Sequence, residues 1–363
     1  MIIAISFTLF FIVLRFTVTL FNFISNPKLT RVSRQYHDLV SVLIPARNEE
    51  ENILRLLESI HQQDYKGYEV IVYDDLSTDK TYQVVSAFVE KHHNFKVIKG
   101  TDLPYGWTGK NYACHQLAEK ASGEYFLFLD ADTTISDNLI NSSVHRMQLF
   151  KLGLLSLFPT QNMNTIGEKV TVPLLNYLLL NLLPLRFVYL FKTPAMSVAC
   201  GQFMLFDGAA YQQNQWHQMV KDKVVEDAEI MKLLKGSGYN GEVLLANKMI
   251  KCRMYKNFND AISGFSKNSL ALFNYNISAL LVFVLIMIGG PLIVIMTLNI
   301  SLIFFMIGLI ALSRVMIALS AGENVFFNIV LHPAQMINLA VIAFLSIQKH
   351  LTRTNVWKGR CVD

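Results

Sequence analysis

The segment "FLFLDADTTI" sets two carboxylates, Asp130 and Asp132, on the end of an apolar run. A charge beside a buried strand is costly unless a cation or hydrogen-bond donors meet it. Two more acidic pairs occupy comparable places: Asp74 and Asp75 close the run "YEVIVYDD", and Glu226 and Asp227 open "VVEDAEIMKLLKGSGYN". Paired carboxylates can bind a divalent cation, accept hydrogen bonds from a base or ribose, or take up a proton as a general base. Spaced i, i+2 after a strand, Asp130 and Asp132 suit a hard cation, Mg2+ or Mn2+, bridged to two diphosphate oxygens. A helix N-cap is the plainer reading of an Asp there, but it uses one carboxylate and not two. Taken alone, Glu226 and Asp227 are an acidic first turn that favours the helix dipole.

The elements that would position these groups alternate between strand and helix over residues 38–270. "LVSVLIPA" (39–46), "YEVIVYDD" (68–75) and "NFKVIKG" (94–100) read as strands, and a further helix-strand unit over 109–130 ends in the DAD segment. The stretch 48–63 has helical spacing, with Ile53, Leu56, Leu57 and Ile60 on one face, and 77–92 opens with a serine able to cap its helix. Such a β-α-β-α-β order predicts an α/β fold with a parallel sheet and right-handed crossovers. Ligands of these sheets bind beyond the carboxyl ends of the strands, where "PARNEE", Asp74, Asp75, Asp130 and Asp132 all stand. Neither GxGxxG after the first strand nor GxxxxGK[ST] is present, which leaves a nucleotide cradle built from acids and a metal.

Composition decides which partners are open to the chain. Of 363 residues 52% are hydrophobic and 16% charged, a balance that points to lipid, and the net charge of +5 is spread without a basic run, against a nucleic-acid partner. Residues 1–25 are long enough to span a bilayer, and Lys28, Arg31 and Arg34 after them predict a cytoplasmic domain; Arg15 within them must snorkel or face protein. A cleaved signal peptide fits less well, because the apolar part is too long and no basic residue precedes it. The region 277–347 holds three more apolar stretches, 277–297, 299–320 and 325–347, followed by a basic tail at 348–363. That tail belongs on the cytoplasmic side, so one stretch should be re-entrant or interfacial; His332 and Pro333 single out the third. The apolar but interrupted 172–191 reads as interfacial helices or as a core helix pair. Four widely spaced cysteines without a CxxC suggest reduced thiols.

In their order and spacing, "SVLIPARNEEENI", "VIVYDDLSTDKT", "GWTGKNYAC", "FLFLDADTTI" and "VVEDAEI" resemble the membrane-bound branch of the family 2 inverting glycosyltransferases of GT-A fold. "RMYKNF" and "VWKGR" extend the likeness to the carotenoid- and hopanoid-associated group, which includes glycosyltransferases acting on 4,4'-diaponeurosporenoate. The resemblance implies a nucleotide pocket lined by Pro45, Ala46, Arg47, Asn48 and Glu49, with Asp74 or Asp75 on the uracil or ribose. It also implies Asp130 and Asp132 as the DxD-like pair for metal and diphosphate, and Lys110 near the donor phosphates, where a solvated surface lysine is the alternative. Asp227 would be the general base, with Glu226 beside it, for direct inverting attack by the acceptor oxygen.

Gly201, Gln202 and Phe203 would lie on the acceptor side, although a plain apolar strand fits them as well. Trp107 would either stack on a sugar or anchor its own loop. Phe265 and Lys267, in "SGFSKN", stand where processive relatives carry an Arg-Trp motif, and the departure implies single transfer. The function implied is transfer of one sugar, glucose by the resemblance, from a UDP-sugar to a membrane lipid, a carotenoid or another isoprenoid. The site would be a cytoplasmic domain of a multi-pass plasma-membrane protein. The rivals are a polysaccharide or polyprenyl-phosphate sugar transferase, and a non-catalytic membrane scaffold.

Overall fold

A computed structural model describes residues 2–352, 354, 356–357 and 360–361, so the basic tail after Thr352 lies largely outside the described residues. The chain divides into two compact units. One comprises Pro27–Thr160 and Arg186–Arg253; the other comprises Met1–Asn26, Gln161–Leu185 and Met254–Asp363. This partition differs from an unbroken domain over 38–270, because 161–185 and the residues after Arg253 group with the apolar helices.

The first unit is built on ten short strands: β1 (Val40–Ala46), β2 (Tyr68–Asp74), β3 (Phe95–Lys99), β4 (Tyr125–Leu129), β5 (Thr133–Ile135), β6 (Leu152–Phe158), β7 (Thr160–Gln161, at the unit's edge), β8 (Phe203–Asp207), β9 (Asn240–Leu245) and β10 (Ile250–Cys252). Seven of them form one sheet in the order β3-β2-β1-β4-β8-β6-β9. β1 pairs in parallel with β2 and β4, and β2 with β3, as the sequence pattern predicts. Val40, Val42, Leu43 and Ile44 are all fully buried, so both faces of β1 are covered and its sequence shows no polar alternation. The predicted helix over 48–63 is realised as Ile53–His61, whose Ile53, Leu56, Leu57 and Ile60 are wholly buried against Val42, Val70 and Leu127. The helix expected at 77–92 begins later, at Thr81, and Ser77 does not cap it. The Ser77 hydroxyl instead accepts the Asn48 N–H at 3.0 Å, tying the loop after β1 to the loop after β2.

The sheet is mixed, because β8 enters antiparallel between β4 and β6. In the β4–β8 register Leu129 faces Phe203, so the start of β8 lies at the end of β4 where Asp130 emerges. Reversing one strand therefore adds Gly201 and Gln202 to an edge otherwise formed by strand carboxyl ends.

Among the described residues of the second unit, three helices are long and apolar enough to cross a membrane: Ile2–Ser25, Ile277–Met296 and Ile300–Ala321. The stretch 325–347 instead breaks into Val325–Val330 and His332–Thr352. Ile12, Val294 and Met306 form a common core of the three long helices, while Phe7, Phe10, Leu285, Leu292, Phe304 and Phe305 stay exposed, as lipid-facing residues would be. Within 172–191, helix Pro173–Leu182 buries Leu174, Tyr177 and Leu180 and leaves Leu182 exposed. Arg15, 7% exposed, donates to Asn181 Oδ1 at 2.9 Å and to the Tyr177 hydroxyl, so it faces this helix.

Candidate active site

Three separated segments meet at the ammonium of Lys110. The helix Gly109–Lys120 starts at a Thr108 cap, whose hydroxyl accepts the Asn111 N–H, and carries Lys110 in its first turn. Lys110 Nζ lies 2.9 Å from Asp130 Oδ1, at the end of β4, and 3.0 Å from Glu226 Oε1, at the start of helix Glu226–Gly236. Asp227 points to the same place: its Oδ2 accepts the Gly201 N–H at 2.9 Å and its Oδ1 the Ala228 N–H at 2.7 Å. Gly201 has no side chain for a reason of space, since a Cβ there would stand 3.0 Å from Lys110 Nζ and 3.1 Å from Glu226 Oε1. Lys110 is thus a shared counter-ion and not a solvated surface lysine.

The charges shift one another strongly. Burial alone would lower the Lys110 pKa, but Asp130 and Glu226 outweigh it and hold the ammonium well above its ordinary range. Burial and then the neighbouring Glu226 push Asp227 up to about 7. Burial, Asp130 and Glu49 push Asp132 up to about 7 as well, and burial raises Asp130 against the opposing pull of Lys110.

Asp130 and Asp132 do not cap a helix. The residues after them form β5, held by Thr133, whose N–H and hydroxyl both bond the Asp130 carbonyl, at 3.2 and 2.8 Å. β5 pairs antiparallel with β10, in a register that sets Cys252 opposite Thr133. The Cys252 thiol is thereby brought near the Asp132 carboxylate, whose charge helps to raise it, and it accepts from Gln202 Nε2 at 2.9 Å. This thiol was not foreseen from the sequence. It lies 120 positions from Asp132 in the chain, and only the β5–β10 pairing joins them. Cys114, Cys200 and Cys252 are all free and buried, and burial raises the pKa of each thiol.

The loop after β1 packs on the loop after β2. Arg47 Nη1 donates to the Leu76 carbonyl at 3.3 Å and lies 4.0 Å from Asp75 Oδ2. Asn48, at φ +54°, accepts the Thr78 N–H at 2.8 Å, and the Glu49 N–H donates to Thr81 Oγ1 at 2.7 Å. Pro45 and Ala46 close β1 opposite Tyr73 and Asp74 of β2. Asp74, 2% exposed, keeps a buried Oδ1 without a hydrogen-bond partner. Trp107 stacks on His115 at 5.2 Å and meets Tyr112 edge-on, both on the helix that follows its loop. Phe265 and Lys267 stand on helix Phe258–Ser269 of the other unit, where Phe265 packs on Tyr255.

Residues 41–213 match the family model described as glycosyl transferase family 2. Over that stretch, just under half of its length, the chain is similar to family 2 glycosyltransferases. The 4,4'-diaponeurosporenoate glycosyltransferase of Staphylococcus haemolyticus (strain JCSC1435) is 27% identical to it over 238 residues, 63% of this chain and 60% of that protein. The protein of the same name from Staphylococcus aureus (strain MRSA252) is 37% identical over 126 residues, 34% of this chain and 32% of that one. The matched part is thus less than two thirds of either relative's length. The mannosyltransferase PcManGT from Pyrobaculum calidifontis, solved in complex with GDP-Man and Mn2+, shares the fold at a TM-score of 0.59 and 16% identity, over 96% of this chain and 99% of that one. The mostly parallel mixed sheet of the first unit is GT-A-like.

Among the described residues, no group of three or more His, Cys, Asp or Glu side chains is arranged to hold a metal ion. Asp132 nonetheless has a ligand's features: its Oδ1 is buried without a hydrogen-bond partner, and acids crowd it. A divalent cation fits that environment if a bound diphosphate and water complete its oxygen shell, as is usual for Mg2+.

Proposed function

We propose that this protein is a membrane-bound inverting glycosyltransferase that moves one sugar from a nucleoside diphosphate sugar, a UDP-sugar, to a membrane lipid. The observation that carries the reading is the meeting of Lys110, Asp130, Glu226 and Asp227 around Gly201. Pro45, Ala46, Arg47, Asn48, Glu49 and Asp74 or Asp75 bind the nucleotide, on loops already tied to each other. Lys110, held protonated by its two carboxylates, faces the donor's phosphates. A divalent cation, Mg2+ or Mn2+, held by Asp132 with Asp130 would neutralise charge on the departing diphosphate.

Asp227 is the general base. Its backbone donors fix the carboxylate, and a pKa near 7 matches the work of taking a proton from an acceptor hydroxyl at neutral pH. Gly201, Gln202 and Phe203 border the acceptor. The relatives' name makes a carotenoid carboxylate a candidate acceptor. For such an acid there is no proton to remove at neutral pH, and Asp227 then orients the acceptor instead. Three candidate spans support a membrane-borne acceptor and a multi-pass protein, and Lys28, Arg31 and Arg34 after the first of them support a transferase domain on the cytoplasmic side of the plasma membrane.

The test is to incubate membranes holding the full chain with several radiolabelled nucleotide sugars and to identify the labelled product by mass spectrometry. A single-sugar isoprenoid supports the proposal. A labelled polymer or phosphoprenol would transfer support to the rival transferases, and no labelled lipid with any donor would count against transfer altogether.

A further inference from the structure

Helix Glu226–Gly236 carries the acidic pair of the site on its first turn and a lysine, Lys235, on its last. Lys235 is 5% exposed, and its ammonium donates to the Phe191 carbonyl at 2.9 Å and to the Met196 carbonyl at 2.5 Å. From Phe191 the chain leads to Gly201, whose N–H is held by Asp227 on the same helix. One helix therefore fastens this segment at both ends.

The segment has little else to fix it. From Asp227 to Lys235 the helix rises about 12 Å, whereas extended chain from Phe191 to Gly201 would reach ~33 Å. It is slack, and residues 191–199 belong to no helix or strand. Thr193 makes a turn of its own, its carbonyl accepting the Met196 N–H at 3.2 Å and its hydroxyl the Ala195 N–H at 3.3 Å. Among the described residues, the only hydrogen bond that reaches 192–199 from another element is the one Lys235 gives to Met196. Burying that cation is costly, and burial pushes its pKa down to about 8. An apolar side chain would fill the same position without this cost, so the two donated bonds are what the lysine adds.

What the fastened segment presents is apolar. Leu190 and Phe191 are 62% and 47% exposed, Pro194 and Ala195 are exposed, and Met196 and Val198 are half-buried. With Lys192 the one charge in 191–199, such a surface suits a hydrocarbon chain. It is continuous in the chain with Gly201, Gln202 and Phe203, where the acceptor's reactive end would lie. We propose that Lys235 is a positioning residue, which sets 191–199 as a wall for the isoprenoid chain of the acceptor. The inference rests on the transfer reading only for calling that isoprenoid an acceptor.

The test uses the full chain in detergent, with UDP-glucose as donor and two acceptor alcohols, geranylgeraniol and dimethylallyl alcohol, which share a reactive end and differ in chain length. Lys235→Met removes both donated bonds and should raise the KM for geranylgeraniol about tenfold, with the KM values for UDP-glucose and the short alcohol unchanged. Lys235→Arg, still able to donate to both carbonyls, should restore most of the loss. Phe191→Ser, at an exposed position, should raise the same KM and keeps the test open if Lys235→Met does not fold. Amide hydrogen exchange needs no turnover: geranylgeraniol should slow exchange over 192–199 in the unaltered protein and not in Lys235→Met. If the unaltered protein glycosylates neither alcohol yet shows that protection, the transfer reading fails and the wall stands. Equal KM changes for the two alcohols or for the donor, or no protection of 192–199 in the unaltered protein, would overturn the inference.

Discussion

Asp227 and Asp132 carry the sharpest consequences at the scale of single residues. Asp227→Asn keeps the shape and removes the proposed base, so turnover should fall on the order of 10²–10⁴-fold, with nucleotide binding near normal by calorimetry. With a hydroxyl acceptor, turnover should rise with pH through about 7, because Asp227 must lose its proton to act. A carboxylate acceptor oriented by protonated Asp227 reverses the slope, and a pH–rate profile separates the two cases. The same shifts act on stability. Both carboxylates titrate higher in the fold than at their ordinary 3.8, so without ligands the folded state is favoured at low pH and loses stability as pH rises from about 4 to about 7. Melting temperatures should follow that trend, and Mn2+ with a nucleoside diphosphate should flatten it. Lys110→Met leaves two partly buried carboxylates without their counter-ion and should destabilise the domain by about 1–3 kcal/mol, less than breaking a fully buried pair because water still reaches these groups.

Glycines and strand pairings transmit the site's geometry at the scale of elements. Gly201→Ala forces a methyl against the ends of Lys110 and Glu226, both flexible, so it should lower turnover well before it lowers the melting temperature. Gly123→Ala contrasts with it. There a Cβ would stand 2.6 Å from the Ser41 N and 2.8 Å from the Leu39 carbonyl, rigid backbone at the start of β1, and a loss of about 1–3 kcal/mol of stability is expected in denaturant titrations. The parallel strands and the apolar face of helix Ile53–His61 were legible in the sequence, because burial on one face or on two leaves a period in the residue types. The direction of β8 was not. An apolar five-residue strand reads alike in both directions, and its pairing with β4 and β6 is a long-range choice.

For the molecule as a whole, the apolar helices were legible by length, but their polar interior was not. Arg15 is a blemish in the sequence of helix Ile2–Ser25 and a partner of Asn181 and Tyr177 in the folded unit. Arg15→Leu would strand those two buried groups and should destabilise the helical unit by about 1–3 kcal/mol, read as a lower melting temperature in detergent.

The sequence by itself determined that this chain holds an α/β domain with acids at its strand ends and helices fit for a bilayer, because periodicity and length are local properties. Only the tertiary structure decided that Lys110 bridges two carboxylates, that Cys252 comes near Asp132, and that 161–185 leaves the sheet unit for the helices. Each of these joins residues far apart in the chain through packing that no window of sequence contains.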